Sequence, residues 1–238
     1  MIYNKKVLAI IPARAGSKGL KNKNIKIFNK KPLICWTLDQ AKKCKYIDRI
    51  YISTDSKKIL DKIKQYKIEI PFLRPRYLAQ DKSKSEDVVL FELKRIEKYF
   101  KEKFDIVVLL EPTNPLRYDE DIGKAIKQLA KSTNYSSIVG VSPVKFSPEI
   151  IYSINSKNKR LEKVFKQFKS ISRRQDANEF FFPNGTIYAV KKKYLLLERK
   201  IYTKKIMGFV NKKSQAKGEI DDIFDFYSTE ILFKKFFN

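Results

Sequence analysis

The sequence predicts an α/β protein organised on a doubly wound, largely parallel β-sheet, and three observations carry that prediction. Apolar runs of strand length recur along the chain, stretches with helical spacing separate them, and as far as Leu73 the order reads βαβαβ. Parallel strands require such crossovers, and ligands of open sheets of this kind sit beyond the carboxyl ends of the strands. A chain of 238 residues with 43% hydrophobic content suffices for one substantial domain with its own core.

Val7 to Ile11 is an unbroken apolar run that fits a buried strand, and Pro12 removes a backbone donor and ends regular pairing. The loop that follows, Ala13 to Asn24, is small and cationic. Gly16 and Gly19 allow turns that strain other residues, Ser17 offers a hydroxyl, and Arg14, Lys18, Lys21 and Lys23 supply positive charge. Backbone amides and cations gathered in this way can surround a polyphosphate; the competing reading is a surface turn made basic by a lysine-rich composition. Two familiar phosphate motifs do not fit, because G-x-x-G followed by Leu20 matches neither the Walker pattern nor G-x-G-x-x-G.

Ile25 to Phe28 alternates and Asn29-Lys30 can turn, forming a short ribbon ahead of a helix from about Pro32 to Lys45, with Leu33, Ile34, Leu38 and Ala41 on one face. Asp48 to Thr54 is the next strand, Asp55-Ser56 caps a helix through about Tyr66, and Glu69 to Leu73 reads as a short third strand. Leu73 to Ser85 is a connecting loop with two arginines, and Ser85 opens a helix ending near Phe100. Asp105 to Leu110 is an apolar strand broken abruptly by Glu111-Pro112-Thr113-Asn114-Pro115, a polar loop where this architecture places its sites. A helix from Asp119 to Lys131 and a strand from Ser136 to Val141 follow.

From Ser142 the pattern becomes short and mixed: Ile150 to Ile154, a polar turn at Asn155 to Lys159, then Lys163 to Arg174. Such an insert, about 142–182, suits an arm or an interface, or else a plain surface excursion. Pro183 to Tyr188 reads as a tight turn entering a strand, Ile206 to Val210 as a last core strand, and Asp222 to Phe237 as a terminal amphipathic helix.

The formal charge of +26, from 52 basic against 26 acidic residues, would ordinarily suggest nucleic acid or an anionic membrane as partner. Only ten of the basic residues are arginine and the lysines are spread along the whole chain, so the charge reads as a generic field for anions rather than a dedicated nucleic-acid surface. Cys35 and Cys44 fall on opposite faces of a helix and form neither a disulfide nor a C-x-x-C pair, which suits a reducing compartment. The apolar part of Met1 to Ala15 is too short for a signal peptide, and no run approaches the roughly 18 apolar residues of a membrane span. A soluble, cytoplasmic protein is expected.

Glu219-Ile220-Asp221 should be extended, so residues two apart point to one side and both carboxylates can face one cation. Such a pair suits Mg²⁺, which takes one or two carboxylates at roughly 2.0 to 2.1 Å and fills its remaining positions with water and phosphate. Asp222 reads as the cap of the terminal helix with Asp225 in its first turn; alternatively all these acids simply begin a helix.

Assembled in order, these segments resemble the acylneuraminate cytidylyltransferases, also called CMP-sialic acid synthetases. The resemblance runs nearly end to end through I-P-A-R-A-G-S-K-G and K-N at Ile11 to Asn24, K-P-L-I at Lys31 to Ile34, I-S-T-D at Ile52 to Asp55 and L-R-P with L-A at Leu73 to Ala79. It continues through E-P-T-N-P-L-R at Glu111 to Arg117, R-R-Q-D and P-N-G-T-I-Y between Arg173 and Tyr188, and E-I-D at Glu219 to Asp221.

The resemblance implies a Rossmann-like, mixed but mostly parallel sheet of the nucleotide-diphospho-sugar transferase type, in one domain over 1–238 with a dimerisation insert. It implies transfer of the cytidylyl group from CTP to the anomeric hydroxyl of an acidic nine-carbon sugar, with release of pyrophosphate and Mg²⁺ or Mn²⁺ as cofactor. By position, Arg14, Ser17, Lys23 and Asn24 would hold the triphosphate, Arg74 and Ser85 the nucleotide side, Glu111 and Tyr188 the sugar, and Glu219 with Asp221 the metal. Arg174 would reach a partner's site across a homodimer, where its guanidinium could match the sugar carboxylate. Arg14, Lys23 and Asp221 become the expected catalytic residues, since attack on an α-phosphate is limited by charge and positioning. With no histidine in the chain, imidazole base catalysis is excluded.

Family members often carry Asp where Glu219 stands, Gln where Glu111 stands and a basic residue where Phe182 stands. Glu111 should favour a sugar with different hydrogen-bonding groups, leaving sialic, legionaminic, pseudaminic or another nonulosonic acid open. The eight-carbon Kdo enzyme is a cousin, and a non-catalytic nucleic-acid or anion-binding module is the reading from a different class.

Overall fold

The structure, a computed structural model, describes residues 1–168, 178–216 and 219–237. Strands β1 (Val7–Pro12), β4 (Arg49–Ser53), β5 (Ile106–Leu109), β6 (Ser137–Pro143), β9 (Phe181–Lys191) and β10 (Ile206–Val210) form a six-stranded sheet in the order β10-β6-β9-β5-β1-β4. β1 runs parallel to β4 and β5, and β6 parallel to β10, while β9 is antiparallel to both β5 and β6. The sheet is therefore mixed and mostly parallel, as the βαβ alternation predicts.

Alternation along β1 builds a core on each face. Val7, Ala9 and Ile11 pack with α1 (Leu33–Lys43), α2 (Lys57–Ile63) and α4 (Asp121–Lys131), whereas Leu8 and Ile10 pack with α3 (Ser85–Phe100) and α5 (Lys192–Glu198). Each such buried aliphatic side chain contributes roughly 1.5–3 kcal/mol. A third cluster of Leu20, Phe28, Leu33, Leu116, Ile220, Phe226 and Phe233 joins α6 (Ile223–Phe236) to the ribbon of β2 (Ile27–Phe28) and β3 (Lys31–Pro32) and to the loop after β1. That cluster is what brings the far end of the chain back to its beginning.

Several segments depart from expectation. Glu69 to Leu73 is no strand: it passes the edge strand β4, tied by the Tyr51 hydroxyl to the Phe72 carbonyl (3.0 Å) and by the Arg74 amide to Thr54 (2.7 Å). Pro71 removes a donor that a ladder there would need. Pro183 to Tyr188 is not a turn but the middle of β9, where the register against β6 shifts and Gly185 takes φ +73°. β10 is an edge rather than a core strand, with Phe209 buried and Ile206 and Val210 exposed. α6 is apolar on both sides, burying Phe226 and Phe233 while Phe224, Tyr227 and Ile231 face outward. Its start is as read, with Asp222 and Asp225 capping reciprocally. In the insert, β7 (Tyr152–Ile154) and β8 (Leu161–Lys163) pair antiparallel about the Asn155 to Lys159 turn. Among the described residues no helix is long and apolar enough to cross a membrane.

Candidate nucleotide-binding cleft

A cleft of about 480 Å³ opens beyond the carboxyl ends of β1 and β5, at Pro12 and Leu109. Arg14, Ser17, Lys23, Asn24, Arg74, Ser85, Glu111 and Asp221, all singled out from the sequence, line it. A hollow of about 600 Å³ between α1 and the end of α6 contains none of them.

The loop after β1 is held from both sides. The Ala13 amide donates to the Ser53 carbonyl (2.8 Å), the Ala15 amide to Asp55 Oδ1 (2.8 Å), and Asn24 Nδ2 to the Arg14 carbonyl (3.0 Å). The left-handed residue here is Asn22, at φ 57°, not Gly16 or Gly19 as expected. Gly19 is needed for another reason: a Cβ there would overlap the backbone carbonyl oxygen of Asp221. Loop and carboxylate segment are thus packed backbone to backbone, and Lys23 fastens them, its Nζ donating to the Ile220 carbonyl (2.6 Å) and lying 3.4 Å from Asp221 Oδ1. The Ile220 amide donates to the Thr113 carbonyl (2.9 Å), which adds the loop after β5 to the same junction.

Asp81, which sequence reasoning did not single out, occupies the cations. Arg14 Nη1 lies 2.6 Å from Asp81 Oδ1 and Lys18 Nζ 2.7 Å from Oδ2, and these two partners hold the carboxyl below its usual range. Lys21 takes no part in the cleft lining.

The opposite wall is buried and negative. Burial, then repulsion from Glu219, pushes the Glu111 carboxyl up to about 7 against the pull of Arg117 and Lys23. Glu219 is raised by partial desolvation and by Asp221, and the Tyr188 phenol by burial and by Glu111, so these groups share one electrostatic environment; Tyr188 is half-buried and Glu219 exposed, and neither is among the residues that line the cleft. Arg117, 2% exposed, was quoted within a motif but given no role. Its guanidinium donates to the Glu111 carbonyl (2.6 Å), the Thr186 carbonyl, Thr37 Oγ1 (3.1 Å) and Gln40 Oε1 (3.2 Å), clamping the loop after β5 between α1 and β9. Burial lowers its pKa to about 10. The signal that could have found it is the arginine that follows Pro115-Leu116, where Leu116 is buried beside it and the guanidinium must find partners inside.

A divalent cation fits this donor set. Among the described residues no cluster of three or more His, Cys, Asp or Glu forms a protein-only metal cage. Glu219 and Asp221 nevertheless repel each other across a short extended segment, and Asp221 is 75% exposed at its side chain. Two carboxylates with room for water and phosphate oxygens are what Mg²⁺ takes. Arg174 and its R-R-Q-D stretch lie outside the described residues.

The family described as Cytidylyltransferase matches residues 8–231. Among curated relatives, the chain is 33% identical over 230 residues to a CMP-N,N'-diacetyllegionaminic acid synthase of Legionella pneumophila, covering 95% of this chain and 96% of that protein. It is 30% identical to an N-acylneuraminate cytidylyltransferase of Escherichia coli, across 93% of this chain and 50% of that protein. Among solved structures, a CMP:2-keto-3-deoxy-manno-octonic acid synthetase complexed with CTP superposes with a TM-score of 0.68 at 14% identity, covering 97% of this chain and 99% of that one, which establishes likeness of fold. Near-complete coverage, identity above the level of fold resemblance and a family match over most of the chain agree: this chain belongs to the cytidylyltransferase family.

Proposed function

We propose that this protein transfers CMP from CTP to the anomeric hydroxyl of a nonulosonic acid, releasing pyrophosphate. The observation that carries the proposal is the junction of the cationic loop with the E-I-D segment through Lys23 and Gly19. It sets groups that bind a triphosphate beside groups that bind a cation, at the carboxyl end of the sheet.

In this reading Arg14, Ser17 and Asn24 hold the triphosphate, and Arg14 with Lys23 neutralises charge as the pyrophosphate departs. Arg74 and Ser85 receive the nucleoside side. Glu219 and Asp221 would hold Mg²⁺, which when bound supplies further charge neutralisation at the phosphates. Lys23 keeps Asp221 directed at the loop, and Arg117 fixes the backbone of Glu111 beside the sugar. Glu111 presents a carboxyl where an amide would offer both a donor and an acceptor, so the sugar group facing it should be a donor. Tyr188 lies on the same side.

The insert is proposed as the arm of a homodimer. Ile151, Tyr152, Ile154, Leu161, Val164, Phe181 and Phe182 are all exposed along it, more apolar surface than an isolated ribbon ordinarily presents. Arg174 is proposed to act across that interface on the sugar carboxylate.

The names of the relatives choose the test: CTP and Mg²⁺ with a panel of sialic, legionaminic, pseudaminic and Kdo sugars, following pyrophosphate. Release with at least one nine-carbon acid is expected, and silence across the panel would sink the proposal. Repeating the assay with ATP, GTP and UTP should give little release.

A further inference from the structure

A fully buried carboxylate behind the cleft has no part in the chemistry above. Glu92, on α3, is 0% exposed, although an ionised side chain in that position carries a substantial desolvation cost. Its Oε1 accepts a hydrogen bond from Ser53 Oγ (2.7 Å), and Arg95 Nη1 lies 3.6 Å from its other oxygen, too far to count as a hydrogen bond. Ser53, the last residue of β4, is also the receiver of Arg74: its Oγ accepts from Arg74 Nε (2.8 Å) and its carbonyl from Nη2 (2.5 Å).

The chain of contacts therefore runs from α3 through Ser53 to a guanidinium that is 6% exposed and lines the cleft. Ser53 Oγ has one proton. With Glu92 taking that proton, the hydroxyl must turn its lone pairs to Arg74, which fixes the direction of the Nε bond. Among the described residues Nη1 of Arg74 has no protein partner, so the constraint leaves one donor edge of a rigid fork for an acceptor from outside. Charge acts in the same sense: burial lowers the Arg74 pKa, and Glu92 is the first of the charges that oppose this.

We propose that Glu92 is a positioning residue for nucleotide binding, acting through Ser53 to hold Arg74 with one free guanidinium edge presented to an acceptor oxygen of the nucleotide. This rests on the cytidylyltransferase reading of the cleft. The relay concerns the nucleotide alone, since it reaches neither Glu111 nor the carboxylate pair.

Two variants test it. Glu92→Met keeps the length of the side chain but removes both the acceptor and the charge, and Ser53→Ala cuts the relay while leaving Glu92 in place. Titration calorimetry of CTP with Mg²⁺, without sugar, should show binding weakened about tenfold by either change, the loss of one well-aligned charge-assisted hydrogen bond. In turnover, KM for CTP should rise by a similar factor while KM for the sugar stays within about twofold and the melting temperature of Glu92→Met does not fall. A role limited to packing would lower stability and affect both substrates alike. If Arg74→Lys weakens CTP binding but either Glu92→Met or Ser53→Ala leaves it within about twofold of the parent, the relay is wrong and the site stands. If the parent protein itself binds no CTP, the functional reading fails, and the relay with it.

Discussion

The two walls of the cleft are made differently. The wall formed by the loop after β1 carries its charge on partly exposed side chains, with Lys18 82% and Arg14 30% exposed, and balances it with Asp81 at the surface. The wall formed by the loop after β5 carries a fully buried Arg117, whose main partners are backbone carbonyls, behind a half-buried Glu111. Exposed charges are screened by salt and exchange partners at little cost, as a site that must bind and release a polyanion requires. Buried charges are fixed by geometry and respond to pH, which suits the sugar-facing role proposed for this wall.

Changes can be chosen to break this contrast. The largest effect on turnover should come where the walls meet: Asp221→Ala should lower kcat/KM by about a thousandfold or more, with melting temperature nearly unchanged, because the side chain is exposed and the helix cap belongs to Asp222 and Asp225. Stability and activity falling together would mean the segment only begins a helix. On the buried wall, Arg117→Met should destabilise by about 3 kcal/mol, roughly 10 °C, because the Glu111 and Thr186 carbonyls lose their donor. Circular dichroism melts would check this, and a change under about 3 °C would deny Arg117 its clamping role.

Glu111→Gln separates the walls by pH. A carboxyl raised to about 7 in the folded state, against its ordinary value of 4.5, favours the protonated form, so stability is fully present below about 4.5 and is lost as pH rises through about 7. In metal-free protein the variant should match the parent at pH 4.5 and exceed it by about 3 kcal/mol at pH 8. A gain that is the same at both pH values would contradict that assignment. The smallest effect belongs to the exposed wall: Asp81→Asn should lower KM for CTP about threefold at low salt, with the difference vanishing at high salt. A salt-independent effect would show that Asp81 orders the loop rather than competing with phosphate.

How far the sequence could be read follows the same divide. Pattern identified β1, α1, α3, β5 and the α6 cap, because their signals are local: apolar runs, helical spacing and a proline or capping residue at the boundary. The cleft residues were reachable because cations, small residues and paired acids at short spacing state their chemistry directly. Glu69 to Leu73 misled because β-branched and aromatic content looks like a strand whether or not a neighbour offers a ladder. Gly185 looked like a turn because a glycine at positive φ serves a bulge as readily as a corner. Asp81, Arg117 and Glu92 were silent because their partners lie 67, 69 and 39 residues away in sequence for Arg14, Thr186 and Ser53 respectively, contacts that exist only once the sheet has formed.

β9 has a consequence for how the protein assembles. Among the described residues it is the only strand that joins β4-β1-β5 to β6-β10, since neither parallel group pairs there with the other directly. β4-β1-β5 can form from consecutive crossovers, but β6 has no neighbour in the sheet until β9 begins at Phe181, after the whole insert has been made, and β10 follows β9 in the chain. Closing that seam involves long sequence separations on both sides and should limit the folding rate. On the ribosome, β4-β1-β5 would stand alone with β6 unpaired until β9 emerges, and β10 would complete the sheet last.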